Sequence, residues 1–137
     1  MEYEDEVRAE WIDENDHMNL AYYVLVFTRA TEAFAVRLGL AGGRVTQLHT
    51  AYEREVTRGD RLRVVTHVLD ISDCELHLLH EMFQADESYR AACLEMVLSH
   101  RGELPAEARS QLLAIVARPR PPAAGRRIAM ARTSRDT

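Results

Sequence analysis

The sequence predicts an α+β domain in which one long helix packs against a sheet of antiparallel strands. Three observations carry this. Apolar residues recur at helical spacing from Leu20 to Leu38. Four stretches rich in Thr, Val and Tyr follow, separated by short turns, and a short strand-compatible segment (residues 3–11) precedes the helix. At 137 residues and 47% hydrophobic content, the chain is long enough for one domain with its own core.

The helix reads through Leu20, Tyr23, Val24, Phe27, Ala30, Thr31, Phe34 and Leu38, one stripe at i, i+3, i+4 spacing. Leu25, Val26 and Ala33 widen that stripe, so the helix is apolar on more than one side. Asn19 fits its N-cap, and Gly39, Gly42 and Gly43 supply the stop signal. The strand-like stretches span 45–57, 61–72, 75–85 and 88–101, with turns at Gly59-Asp60, Ser72-Asp73 and Asp86-Glu87-Ser88. Short turns between consecutive strands predict a meander. In its last strand Ala92, Leu94, Met96 and Leu98 should share one face, and Tyr89, Ala91, Cys93, Glu95 and Val97 the other. A second helix is expected at 105–117, opened by Pro105. One helix is scant cover for such a sheet, which predicts a homodimer or homotetramer.

Charge divides the chain in two. Six arginines and one acid from Arg118 to Thr137 give +5, whereas the whole chain carries −5, so the body is acidic. An acidic body argues against nucleic-acid binding. The boundary falls between residues 1–117, the folded domain, and 118–137, an Arg/Pro-rich tail expected to lie extended on the surface or against a partner subunit. The acidic amino terminus lacks the basic start and apolar core of a secretory signal. No segment approaches the roughly 18 apolar residues of a membrane span. A cytoplasmic protein with no membrane partner is expected. Cys74 and Cys93 lack metal-ligand spacing and read as structural thiols.

The chemistry concentrates in "WIDENDHMNLAYYVLVF", where Asp13, Asn15 and His17 alternate just ahead of the helix. They lie too far back to cap it. A helix start presents unpaired N–H groups to an oxygen that becomes negative during reaction. A carboxylate, an amide and an imidazole beside it can orient water and move protons. Trp11, Tyr22, Tyr23 and Phe27 cluster around the motif and are candidate substrate-binding residues. The competing assignment for these aromatics is core packing. His77 and His80 form H-x-x-H, but odd spacing in a strand turns the rings to opposite faces, so no metal site is expected. Glu81 and Glu95 read as structural carboxylates.

"DENDHMN" resembles the D-x-N-x-H-[VM]-N motif of thioesterases with the hotdog fold, in which an antiparallel sheet wraps a long central helix. The likeness continues in "YEREVTRGDRLRV", in "HEMFQADESYRAACLEMVLSH" and in "RPRPPAAGRRI", where it is nearest to the betainyl-CoA thioesterases of bacterial carnitine breakdown. The resemblance implies an acyl-CoA substrate, no cofactor, and a site made of Asp13, Asn15, His17 and Glu55, with Glu55 activating water. A betainyl group would further imply that Trp11, Tyr22, Tyr23 and Phe27 grip its quaternary ammonium through their ring faces. Val56 stands where acyl-carrier-protein relatives carry cysteine, Asp16 where near relatives carry glycine, and Leu20 replaces a frequent second asparagine. Two alternatives remain: a hotdog hydratase, whose D-x-N-P-x-H motif spaces the histidine one residue later, and a non-catalytic acyl-CoA-binding module.

Overall fold

Asn19 caps the longest element of the computed structural model, which describes residues 1–40 and 43–125. Its side-chain oxygen accepts the Ala21 N–H at 3.0 Å, and helix α1 runs Leu20–Arg37. The helix closes through Leu40 N–H to Ala35 O, with Gly39 in the left-handed region (φ 69°). Before it come strand β1 (Glu2–Glu6) and a 3-10 turn at Ala9–Trp11, so only the first half of the 3–11 stretch is strand. After it come β2 (Arg44–Tyr52), β3 (Arg61–Ile71), β4 (Glu75–Gln84) and β5 (Tyr89–Ser99), then helix α2 (Ala106–Ile115).

The four later strands do not form one meander. The sheet order is β1-β3-β4-β5-β2, every pair antiparallel. β3, β4 and β5 meander, but β2 pairs with β5 and leaves β3 for β1. The helix explains this: α1 connects strands at opposite edges of the sheet, so the chain crosses the sheet's width before β2 begins. β2 also stops at Tyr52, short of the expected residue 57. The N–H groups of both Glu53 and Arg54 turn to Ala91 O, ending the ladder.

The core lies between α1 and the inner face of the sheet. Tyr23, Val26, Phe27, Ala30 and Phe34 pack on Val64, Val68, Leu78, Met82, Leu94 and Met96. His80 is fully buried among them, bonded to Thr31 Oγ1 at 2.8 Å and Thr66 Oγ1 at 2.7 Å. His77 faces the other way, 2.9 Å from Glu95, as the odd spacing requires. The outer face carries His67, Leu69, Leu79, Glu81, Cys93 and Glu95. Glu81 pairs with His67 and Arg90 there.

The start of the tail lies on its own sheet. Ala117 N–H reaches Val68 O, Ala123 is buried against Leu69, Leu79 and Cys93, and Gly125 N–H donates to Glu95. The arginines beyond Gly125 lie outside the described residues.

One departure in β5 bears on the site. Met82 faces Ala92 and Phe83 faces Arg90, so Ala91 is an unpaired extra residue, a β-bulge. Strict alternation would put Tyr89 outside with Cys93. The bulge instead turns Tyr89 to the helix side, where it packs on the core, and Arg90 outward to Glu81.

Candidate active site

The alternating polar residues sit on a tight loop. Ile12 and Met18 form an isolated antiparallel bridge, Asn19 N–H reaches Trp11 O, and Asp13 N–H reaches His17 O. Asp13 organises this turn from within. Its Oδ1 accepts the Asn15 N–H at 2.8 Å and the His17 N–H at 3.4 Å, as short polar side chains do in turns. Asp16 adopts φ 61°, the left-handed conformation that glycine takes most easily and aspartate tolerates.

A second segment closes on the loop. Met18 N–H donates to Val56 O at 2.9 Å, and the Thr57 hydroxyl donates to Asp16 O at 2.6 Å. Between them Val56 is buried, which throws Glu55 outward onto the loop. Its Oε2 lies 2.5 Å from His17 Nδ1, although 38 positions separate the two in sequence. The pair is open to solvent, with side-chain exposures of 43% for His17 and 65% for Glu55, so a water molecule can reach the carboxylate. Asn15 stands exposed at the loop tip. Asp13, Asn15 and His17 thus share one loop, and Glu55 meets that loop at His17.

The helix amides contribute less than the sequence suggests. The Ala21 N–H is taken by the Asn19 cap and the Tyr22 N–H by Asn19 O. Those two donors are already used within the chain.

The four aromatics separate. Trp11 is 3% exposed, stacked on Tyr22 at 5.5 Å, with the guanidiniums of Arg8 and Arg29 at 5.1 and 5.5 Å from its ring centre. Its faces already hold the chain's own groups, so Trp11 packs as core. Tyr22 remains half-buried beside it. Tyr23 is buried edge-on to Tyr52, its hydroxyl donates to Arg54 O at 3.5 Å, and burial, reinforced by the charge of Glu55, leaves its hydroxyl pKa raised. Phe27 stacks on His80 and lines a cavity of about 170 Å³ with Val24, Thr31, Leu48, Leu94 and Met96. Val24 lies about 6 Å along the helix from its first residue, so this cavity begins about one turn from the polar loop.

Sequence reasoning missed Thr57, Arg54 and Tyr89. The Tyr89 hydroxyl donates to Glu55 O at 2.7 Å, and the Arg54 guanidinium covers the Tyr89 ring at 3.8 Å. No periodic signal could have found Tyr89, because it reaches the site only through the bulge at Ala91. Among the described residues no group of three or more His, Cys, Asp or Glu side chains is placed to hold a metal ion, and no helix is long and apolar enough to cross a membrane.

A family model for the thioesterase-like superfamily matches residues 7–115. The chain is 33% identical over 107 residues to the betainyl-CoA thioesterase of Pseudomonas aeruginosa, a match covering 72% of this chain and 67% of that one. Among solved structures, a candidate thioesterase of Pseudomonas putida KT2440 is similar at TM-score 0.79 and 27% identity, covering 96% of this chain and 92% of that one. A Staphylococcus aureus protein solved in complex with CoA shares the fold at TM-score 0.74 and 23% identity, over 82% and 80% of the two chains.

Proposed function

The chain belongs to the thioesterase-like superfamily and is an acyl-CoA thioester hydrolase, and we propose that it cleaves a short-chain acyl-CoA by water activated at Glu55. The observation that carries this is the 2.5 Å contact between His17 and Glu55 on the solvent-open side of the loop. Glu55 takes a proton from water, and the hydroxide oxygen bonds to the thioester carbonyl carbon. The oxygen of the tetrahedral intermediate is held by the Asn15 amide, a donor aimed where charge develops. His17 holds the carboxylate in position, and Asp13 holds the loop. When the C–S bond breaks, the sulfur leaves as a thiolate and takes back the proton from Glu55. The products are the free acid and CoA.

The acyl group we propose is betainyl, supported by the 33% identity to the Pseudomonas aeruginosa enzyme. A quaternary ammonium cannot donate a hydrogen bond, so ring faces and nearby carboxylates must grip it. Trp11 has no free face, which leaves Tyr22 and Phe27 as the aromatic candidates.

We further propose that the working form is a homo-oligomer. β2 is an edge strand with Val45, Leu48 and Tyr52 exposed, and Leu20 and Val36 of α1 are exposed as well. An edge strand with exposed apolar side chains of this kind favours pairing unless something covers it.

A thiol-trapping assay over short, branched, aromatic and betainyl-CoA substrates tests the reaction. Glu55→Gln and Asn15→Ala should each lower turnover by about 10²-fold with the protein still folded. Binding of acyl-CoA without release of thiol would make the protein a binding module instead. Equal kcat/KM for betainyl-CoA and its neutral isostere would remove the cation grip.

A further inference from the structure

Glu55 leaves β2 on a segment that no strand pairs, so something else must hold it. Two neighbours on β5 do so from opposite faces of the sheet. On the inner side the Tyr89 hydroxyl donates to Glu55 O at 2.7 Å, with the Arg54 guanidinium over its ring at 3.8 Å. On the outer side Arg90 makes a two-pronged ion pair with Glu53, Nε to Oε1 at 2.6 Å and Nη2 to Oε2 at 2.8 Å. Arg90 is anchored in turn by Glu81, at 2.9 Å. Between these grips Ala91 O accepts the N–H groups of Glu53 and Arg54 at 2.9 and 3.1 Å.

We propose that Tyr89 and Arg90 are positioning residues that set the carboxylate of Glu55 against His17, and that the bulge at Ala91 makes this possible. In a regular strand consecutive residues also alternate, but Tyr89 would then face outward and Arg90 inward. The bulge exchanges them. The hydroxyl then meets the backbone of the base, and the guanidinium meets the outer carboxylates Glu53 and Glu81. The two grips fix both ends of one short segment, 53–55, which bends at Arg54, leaving little freedom for the side chain between His17 and solvent. A bidentate guanidinium–carboxylate pair specifies orientation as well as distance, which lysine cannot reproduce. Displacement of a reacting group by about 1 Å can cost on the order of 10²-fold in rate, so a half-loosened grip has a measurable effect.

This inference rests on Glu55 being the base, and the experiment separates the two. Tyr89→Phe removes only a hydroxyl, and Arg90→Lys keeps the charge while losing the fork. Each should lower kcat about five- to tenfold with KM within twofold and the melting temperature nearly unchanged. In the Glu55→Gln background Tyr89→Phe should have no further effect on kcat, because the group it positions is already disabled. If Glu55→Gln loses turnover while Tyr89→Phe and Arg90→Lys keep normal kcat, the positioning role is overturned and the base stands. The positioning role is equally overturned if the losses in the double variant multiply. If Glu55→Gln is fully active, the base assignment itself fails, and the positioning role with it.

Discussion

The hydroxyl of Thr57 donates to the main-chain carbonyl of Asp16 at 2.6 Å, binding the polar loop to the segment that carries Glu55. Together with Met18 N–H to Val56 O, it forms a two-point seam between regions about forty residues apart. The seam joins the loop that carries His17 to the segment that carries Glu55.

Thr57→Val keeps the shape and removes the hydroxyl. Its bond is solvent-exposed, so the stability loss should be small, about 0.5–1 kcal/mol. The kcat loss should be larger in proportion, about three- to tenfold, since loop and base are then joined at one point. Steady-state kinetics beside urea melts check this, and an unchanged kcat would show that the seam does not set the site.

Asp16→Gly tests the left-handed turn. Glycine meets φ 61° without the steric cost of a Cβ but adds freedom to the unfolded chain. The two effects oppose each other, so stability should move by less than about 1 kcal/mol and activity should survive. Asp16→Val, β-branched at the same φ, should destabilise clearly. Similar melting temperatures for the glycine and valine variants would rule out strain at this position.

Buried His80 makes the protein sensitive to acid. Burial, with a smaller push from His67, lowers its pKa to about 3, against 6.5 when unfolded. Between those values the unfolded chain binds a proton that the folded one refuses. The stabilising contribution is therefore complete above pH 6.5 and is lost progressively as pH falls toward 3, at about 1.4 kcal/mol per unit. His80→Gln cannot titrate. Its stability relative to the parent should improve by about 1.4 kcal/mol between pH 7.5 and pH 5.5, read from denaturant midpoints. Parallel pH profiles for the two proteins would contradict this.

Leu48→Lys places a charge on the exposed edge strand β2, half-way along its apolar row. If a second copy covers that edge, the variant should sediment as a monomer at concentrations where the parent does not, because a buried unpaired charge opposes association. A parent protein that is itself monomeric and active at micromolar concentration would end the oligomer proposal.

Local physics made much of this molecule legible from sequence. The 3.6-residue stripe of α1, the Asn19 cap and the Gly39 stop depend on neighbours within one turn, and all three stand where expected. The opposite facing of His77 and His80 follows from strand pleat alone. The motif "DENDHMN" marked the loop, and family likeness marked Glu55. Tertiary structure decided the rest. Which strand β2 joins depends on how far α1 carries the chain across the sheet, a distance no turn signal encodes. Trp11 became core because Arg8, Tyr22 and Arg29, scattered in sequence, converge on its ring. Tyr89 reached the site because one unpaired residue, Ala91, reversed the alternation that sequence reading must assume. A bulge is settled by pairing across two strands at once, and the residues of either strand alone do not contain it.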